Sequence, residues 1–286
     1  MTSGAQCYDG AQTGPGACMW FNNYTFITGQ PTLPDNMRTY QDVYYGGYPY
    51  DWTNNNPWRH PGSAPIFSPC GVAGGNPWGC PIGSGHDGQC PGGGFANGDN
   101  AEYVQFQDVV ETEWSAGGVA EVGWGIVANH GGGYSYRLCK RSSSGVVTEE
   151  CFQQTTLKFH GDTQWVQYGD DGPKVTFQAH RTTQGTWPVG SQWTRNPIPA
   201  CHSTDGGFTT DGQYCTRTGP QFTPPGEGLL GFGHSAYDPS TMHFYFTIMD
   251  EVEVPNVTPG EYVLSFRWDC EQTSQVWAGC ANIKIV

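Results

Sequence analysis

One stretch near the C-terminal end decides the fold class: it reads EYVLSFRW from Glu261 to Trp268. Polar and apolar side chains alternate along most of it, and Gly260 and Asp269 bound it. A period of two places alternate side chains on opposite faces of an extended chain. The stretch therefore predicts a β-strand.

Similar runs recur along the chain, whereas helical periodicity is nearly absent. The other runs are Val119–Val127, Tyr134–Leu138, Gln164–Tyr168, Lys174–His180, His243–Met249 and Ala281–Val286. Most of them are bounded by Gly, Pro, Asn or Asp, which favour turns. Strands of this kind and number predict an all-β fold, a β-sandwich of two sheets.

The first 100 residues differ from the rest, because they are rich in Gly, Pro, Asn and aromatic residues and show little alternation. We expect long loops laid over the sandwich and held by Cys pairs and aromatic side chains; long loops are often functional. No internal repeat or linker divides the chain. Residues 1–286 are therefore predicted to form a single β-sandwich domain, with residues 1–100 as its loop-rich part.

The charge balance narrows the choice of partner. Twelve Lys and Arg stand against 26 Asp and Glu, a net charge of −14. Nucleic acid is disfavoured because its phosphates need neutralising cations, and an anionic membrane surface is disfavoured for the same reason. No run of about 18 apolar residues predicts a transmembrane helix. The 40 aromatic residues (11 Trp, 15 Tyr and 14 Phe) can form a sizeable core, and an uncharged polysaccharide is a compatible partner.

Eleven cysteines are spread along the chain without the CxxC pairs of zinc ribbons. They predict a disulfide framework in an oxidising compartment, and so a secreted, extracellular protein. N-glycosylation sequons at Asn23 and Asn256 agree with this. The sequence starts without a signal peptide, which predicts a trimmed chain. The odd number of cysteines agrees with trimming, or with one free or intermolecular thiol.

Close spacing suggests three local disulfides, Cys139–Cys151, Cys201–Cys215 and Cys270–Cys280. Each would close a short loop, worth roughly 3 kcal/mol in the chain-entropy model. Spacing alone leaves the connectivity open.

His130 stands out among the eight histidines. None of them has the spacing of an HExxH metal motif, but His130 directly follows a predicted strand, in ANHGGGY at residues 128–134. Its neighbouring glycines lack side chains, which would let a flat surface approach the imidazole, as a metal site working on a polymer requires. The alternative is a turn histidine bonded to the backbone.

Five short segments are spread along most of the chain from about residue 18 onward. They read NPWRHPG at 56–62, ANHGGGYSYRLC at 128–139, TRNPIP at 194–199, PGEYVLSFRWDC at 259–270 and QVWAGCANI at 275–283. In this order they resemble lytic polysaccharide monooxygenases, a chitin-binding type-4-like family, and most of all its invertebrate, algal and oomycete-type group.

The resemblance implies an Ig-like or fibronectin III-like β-sandwich that binds copper in a histidine brace. One histidine of the brace is the first residue of the mature protein and the other is internal. His130 matches the internal copper histidine, Trp277 the axial aromatic residue, and Gln275 a glutamine that holds a reactive oxygen species. Without the resemblance, Trp277 would be interpreted as a core residue of the last strand, since an indole only donates a hydrogen bond.

The sequence departs from this family at its start, which is Met1-Thr2-Ser3 and carries no leading histidine. Either the segment with that histidine was cut from this sequence, or the protein never had it. The second case would leave a copper-free relative.

Other chemistries have weaker support. Adjacent carboxylates at Glu149-Glu150 and Asp170-Asp171 point to opposite faces of a strand, so neither pair predicts a glycosidase, and both are interpreted as solvated turns. Aromatic residues of the first part would either stack on sugar rings or fill the core. They are Tyr44, Tyr45, Tyr48, Tyr50, Trp52, Trp58 and Trp78.

Two hypotheses of function follow. The first is a secreted, copper-dependent polysaccharide monooxygenase that cleaves a β-linked glycan such as chitin or cellulose. The alternative is a non-catalytic extracellular protein on the same fold, either glycan-binding or a structural, self-assembling cell-surface protein. A histidine at the mature N-terminus would distinguish them.

Overall fold

A computed structural model describes residues 21–24, 27, 29–39, 44–45, 48–49, 56–66, 68–71, 112–126, 129–142, 145–200, 220–231, 244, 246–272 and 275–286. For residues 21–24, 44–45 and 48–49 it describes the backbone only. The strands of this part are β1 (Phe21–Tyr24), β2 (Tyr44–Tyr45), β3 (Tyr48–Pro49), β4 (Thr112–Trp114), β5 (Val119–Trp124), β6 (Gly133–Lys140), β7 (Lys158–Phe159), β8 (Thr163–Gln167), β9 (Lys174–Gln178), β10 (Arg181–Thr182), β11 (Trp193–Arg195), β12 (Thr247–Glu253), β13 (Gly260–Asp269) and β14 (Gln275–Ile285). The helices are α1 (Glu149–Gln154) and two short 3-10 helices, Asp35–Met37 and Pro57–Arg59.

The strands form an Ig-like β-sandwich, so the predicted all-β fold is confirmed. The larger sheet has the order β1-β14-β13-β6-β11-β10, and β4 also pairs with β14, in parallel. The smaller sheet has the order β5-β12-β8-β9, and β7 also pairs with β12. Strands β2 and β3 form a separate pair. No helix of the described residues has the length and apolar character needed to cross a membrane.

One strand lies later than the sequence predicts. The run His243–Met249 suggested a strand there, but β12 extends from Thr247 to Glu253. Its inward positions are Ile248, Asp250 and Val252. The buried carboxylate at the middle inward position interrupts the apolar pattern, which is why alternation failed to mark the strand.

The core lies between the two sheets and is dominated by aromatic rings. The Trp124 ring of β5 lies 4.8 Å from the Tyr134 ring of β6 and 5.3 Å from the Trp268 ring of β13, between centroids. Such contacts stabilise a core beyond the area that they bury. In the described part of the chain, these aromatic rings join the two sheets.

The outer face of β6 and β13 is also covered, by residues 56–66 and 68–71. The Arg267 guanidinium donates to the Ala64 carbonyl at 2.9 Å, and the Ser265 hydroxyl donates to the Pro69 carbonyl at 2.9 Å. A disulfide joins Cys70 to Cys280 of β14. Strand β6 is consequently buried on both faces along most of its length.

The disulfides agree with the sequence in one case and not in another. Cys139–Cys151 is confirmed. Cys270–Cys280 is wrong, because Cys280 bonds to Cys70, and Cys270 lies within the core between the sheets. Cys270 lies in the turn directly after β13, whereas Cys280 is the sixth residue of β14 and lies opposite Ser265. Cys201–Cys215 falls outside the described residues.

Trp58 is not available for sugar stacking. It is fully buried, and its indole N–H donates to the Met37 carbonyl at 2.9 Å. Among the other aromatic residues of that set, Tyr50, Trp52 and Trp78 lie outside the described residues, and so do the side chains of Tyr44, Tyr45 and Tyr48.

Glu149 is not the solvated turn residue that the sequence suggested. Thr148 caps α1 by accepting a hydrogen bond from the Cys151 amide at 3.3 Å, which is a common start signal of a helix. The helix directs Glu149 inward, where its carboxylate accepts from Arg137 at 2.6 Å. The Asp170-Asp171 pair, in contrast, is exposed in a turn, as predicted.

Candidate functional site

His130 lies in a short segment that enters β6, and the backbone around it is held from β13. Its carbonyl accepts hydrogen bonds from the amides of Glu271 and Gln272, at 3.2 and 2.9 Å. Gly131 and Gly132 follow with φ of +63° and +79°, conformations that favour glycine. The turn after β13 therefore fixes where His130 lies.

Asn129 anchors the other side of this segment and is completely buried. Its amide nitrogen donates to the carbonyls of Ile198 and Gly231, at 2.9 and 3.1 Å. Its amide oxygen accepts from the Gly131 amide at 3.0 Å and from the Asn196 amide at 2.9 Å. All four hydrogen bonds that an asparagine side chain can make are thus formed.

The glycines after His130 have a packing role, which differs from the role that the sequence suggested. A Cβ on Gly132 would overlap the Asp269 carbonyl, and a Cβ on Gly133 would overlap the Trp58 ring and the Thr194 carbonyl. Both glycines are buried. They allow β6 to approach its neighbours, and they do not form an open surface beside the imidazole.

The His130 ring is partly exposed and stacks on Trp268, with 6.4 Å between ring centroids and 26° between planes. Desolvation lowers the pKa of His130 to about 4. The imidazole is therefore neutral at pH 7. Neutral imidazole is the form that binds metals, because a ring nitrogen must keep its lone pair.

Trp268 links His130 to Trp277. The two tryptophans lie opposite each other in the β13–β14 pair, and their rings stack at 6.4 Å with 29° between planes. The Trp268 indole N–H donates to the Gly131 carbonyl at 2.7 Å, which orients its ring. His130, Trp268 and Trp277 form a row of rings, hereafter the aromatic row.

Trp268 was missed as a site residue by sequence reasoning. The signal was present, since two alternating runs joined by a short turn predict a hairpin in which Trp268 faces Trp277. The predicted run begins only at Ala281, whereas β14 begins at Gln275, so the prediction leaves Trp277 outside the strand.

Gln275 lies at the start of β14, two residues before Trp277. Both side chains are partly exposed and project from the same face of the strand. The Gln275 carbonyl accepts from the Cys270 amide at 3.1 Å, which closes the turn between β13 and β14. The structure therefore brings Gln275 and Trp277 to the end of the sheet that carries the His130 segment.

A buried ion cluster supports the turn after β13 from the outer face. Asp269 accepts from the Arg267 Nε at 2.7 Å and from the Gly62 amide at 2.8 Å. Arg267 also lies 3.4 Å from Glu149, which binds Arg137. Two arginines and two carboxylates thus compensate one another away from water, as buried charges require. The cluster ties residues 56–66 and α1 to the turn that holds His130.

The copper prediction can be compared with the side chains that the structure describes. His130 suits a copper ligand, being neutral, partly exposed and rigidly held. Within the described part of the chain, no three His, Cys, Asp or Glu side chains converge on a common metal position. Residues 1–20 and His86, His202, His234 and His243 lie outside the described part of the chain.

Comparisons with known proteins give limited similarity. No family model matches the chain. A curated relative, the AA13 family lytic polysaccharide monooxygenase A of Aspergillus terreus, is 23% identical in an alignment of length 203 that covers 65% of this chain and 43% of that protein. The chain thus spans less than half the length of the curated relative that it matches.

Two solved structures are similar in part. The AA15 lytic polysaccharide monooxygenase of Thermobia domestica in the Cu(I) state has a TM-score of 0.31 and 15% identity over 63% of this chain and 64% of that chain. The cellulose-active lytic polysaccharide monooxygenase CelS2 in complex with copper has a TM-score of 0.30 and 13% identity over 85% of this chain and 90% of that chain. Likenesses at this level say nothing about a shared site. The activity of this chain is therefore a matter of proposal.

Proposed function

We propose that this chain is a polysaccharide-oxidising protein of the lytic polysaccharide monooxygenase kind, with His130 as a copper ligand. The observation that carries the proposal is the state of His130. Its imidazole is neutral at pH 7, its carbonyl is held by two amides, and its ring rests on Trp268. A rigid neutral imidazole with some exposure is what a copper site needs from the protein.

Each residue would have a distinct part. Bound copper would supply the oxidising chemistry that attacks a C–H bond of a β-linked glycan such as chitin or cellulose. His130 would hold the metal through a ring nitrogen. Gln275 would orient a polar reactant through its amide, which can both donate and accept. Trp277 would exclude water on its side of the site, and Trp268 would keep the His130 ring in one orientation.

Copper titration of the full-length natural protein tests the proposal. His130→Gln is compared with the wild type and with His160→Gln, a control that makes the same change at an exposed histidine. We expect His130→Gln to weaken copper binding at least 100-fold by calorimetry and to alter the Cu(II) paramagnetic resonance spectrum, while His160→Gln leaves both unchanged. Equal copper affinity of His130→Gln and the wild type would sink the proposal.

An extracellular location is part of the same proposal. It is supported by the disulfides Cys70–Cys280 and Cys139–Cys151, because such bonds persist in oxidising compartments. Asn256 of the second sequon is exposed, as glycosylation requires. We expect protein secreted by a eukaryotic host to lose the mass of one glycan after Asn256→Gln; an unchanged mass would contradict glycosylation at this position.

A further inference from the structure

A side pocket lies at the open edge of the sandwich, away from the aromatic row. Its lining comes from β8 and β9 of the smaller sheet, from β11 of the larger sheet, and from the loop residues His180, Pro197, Phe222, Thr223 and Pro225. Its volume is about 210 Å³, and its lining includes Gln164, Phe177, Gln178, His180, Arg195 and Phe222. The pocket has room for several waters, or for one sugar ring.

Gln164 provides a hydrogen-bond acceptor whose identity is fixed by its neighbours. The Tyr134 hydroxyl donates its single proton to Asp250 at 2.6 Å, so it can only accept from Gln164. The Gln164 amide nitrogen does donate to it, at 3.1 Å. The Gln164 oxygen is therefore left on the other side, where it is buried and has no partner among the described residues. A buried acceptor without a donor is costly, and a ligand hydroxyl would satisfy it.

Arg195 provides a cation with unused donors. Its guanidinium lies 4.0 Å above the centre of the Phe222 ring, and its Nη1 donates to the Asn36 carbonyl at 3.3 Å. Its Nε is buried without a partner among the described residues. A carboxylate bound to Nε and Nη2 together would use the planar fork that makes arginine a preferred carboxylate ligand.

The charges around Arg195 favour an anion in the pocket. Its lining contains no Asp or Glu. Burial lowers the pKa of Arg195, and the negative charge of Glu271 raises it by a smaller amount. Burial and then the charge of Arg195 lower the pKa of His180, so His180 is neutral at pH 7. Arg195 is thus the lining cation in a protein whose net charge is −14.

The remaining lining is apolar and flat. The rings of Phe177 and Phe222 face the pocket together with prolines. Such surfaces pack against the C–H faces of a sugar ring. An inorganic anion would use Arg195 but would leave these walls and the Gln164 oxygen without partners.

We propose that the side pocket binds one uronic acid residue, either free or within an acidic polysaccharide. Its carboxylate pairs with Arg195, one of its hydroxyls donates to the Gln164 oxygen, and its ring packs on the phenylalanines. The site does not depend on copper or on His130, so it stands or falls separately from the proposed oxidising function.

Titration of the full chain with glucuronic acid, followed by NMR or calorimetry, tests this. Glucose and acetate serve as probes that lack the carboxylate and the ring, respectively. We expect glucuronic acid to bind at least 10-fold more tightly than either, because a hydrogen-bonded charge pair contributes about that factor. A uronic acid oligomer that binds more tightly than the monomer would identify a polysaccharide source, and equal binding per site would identify the free acid.

Two variants and one control locate the binding. Arg195→Gln should weaken glucuronic acid binding at least 10-fold and leave glucose binding unchanged. Thr223→Trp, at an exposed position of the lining, should block the pocket and keeps the test valid if Arg195→Gln fails to fold. Lys158→Gln removes an exposed cation elsewhere and should change affinity less than 2-fold. Equal affinities for glucuronic acid and glucose, or unchanged binding by both pocket variants, would overturn the proposal.

Discussion

The Tyr134 hydroxyl donates to the Asp250 carboxylate at 2.6 Å, and this bond joins the two sheets in the middle of the core. Tyr134 belongs to β6 of the larger sheet and Asp250 to β12 of the smaller one. The other Asp250 oxygen accepts from Arg181 at 3.2 Å. Burial raises the pKa of Asp250 to about 6, although the bond from Tyr134 and the charge of Arg181 act in the opposite direction.

This raised pKa makes stability depend on pH. The folded protein binds a proton at Asp250 near pH 6, whereas the unfolded chain does so near pH 4. Between these values the folded state holds more protons, so the Asp250 contribution to the free energy of unfolding falls as pH rises. A separation of about two pH units corresponds to at most about 3 kcal/mol.

Asp250→Asn tests this sign by urea unfolding from pH 4 to pH 7. The variant does not titrate, so the difference in unfolding free energy, wild type minus variant, should fall as pH rises from 4 to 6 and be flat above pH 7. Taking the difference cancels the titration of all other groups. A difference that rises with pH would show that Asp250 is ionised throughout.

Gly133→Ala should destabilise the protein by about 3 kcal/mol or more, because the new Cβ would overlap the Trp58 ring and a backbone carbonyl. Gly125→Ala is the matched control, since a Cβ there has no neighbour within 4 Å. Its effect should stay within about 0.5 kcal/mol. Denaturant unfolding of both variants measures this, and equal effects would mean that β6 can move away from Trp58.

Asn129→Asp should be much more harmful than its small change in shape suggests. The carboxylate cannot donate to the carbonyls of Ile198 and Gly231, and it places a buried charge beside them. We expect a loss of about 3 kcal/mol or more in unfolding free energy. Asn36→Asp makes the same change at an exposed side chain and should have little effect; a similar loss in both would contradict the role of the Asn129 network.

The two disulfides within the described residues should contribute unequally, because the chain lengths that they close differ. Cys70–Cys280 spans 210 residues and Cys139–Cys151 spans 12. In the chain-entropy model they contribute about 5 and about 3 kcal/mol. All four cysteines belong to one small cluster, so packing losses should be comparable. Unfolding of the two double Cys→Ser variants compares them, and a larger loss on removing Cys139–Cys151 would contradict the ranking.

The sequence by itself determined what depends on neighbouring residues. Alternation at Glu261–Trp268 marked β13 within one residue at each end, since side-chain period is a local property of an extended chain. Cys139–Cys151 was found for the same reason, because the two residues are close along the chain. His130 was singled out from its place after a strand.

The tertiary structure alone decided which distant residues meet. It paired Cys280 with Cys70 rather than Cys270, buried Trp58, and packed Gly133 against that ring. It placed Asp250 at an inward position of β12. A carboxylate at this position interrupts the alternation of apolar residues by which a strand is predicted from sequence. It also put Trp268 beside His130. These outcomes depend on the register between strands and on loops crossing a sheet face, which are set by packing over the whole fold rather than by the local order of residues.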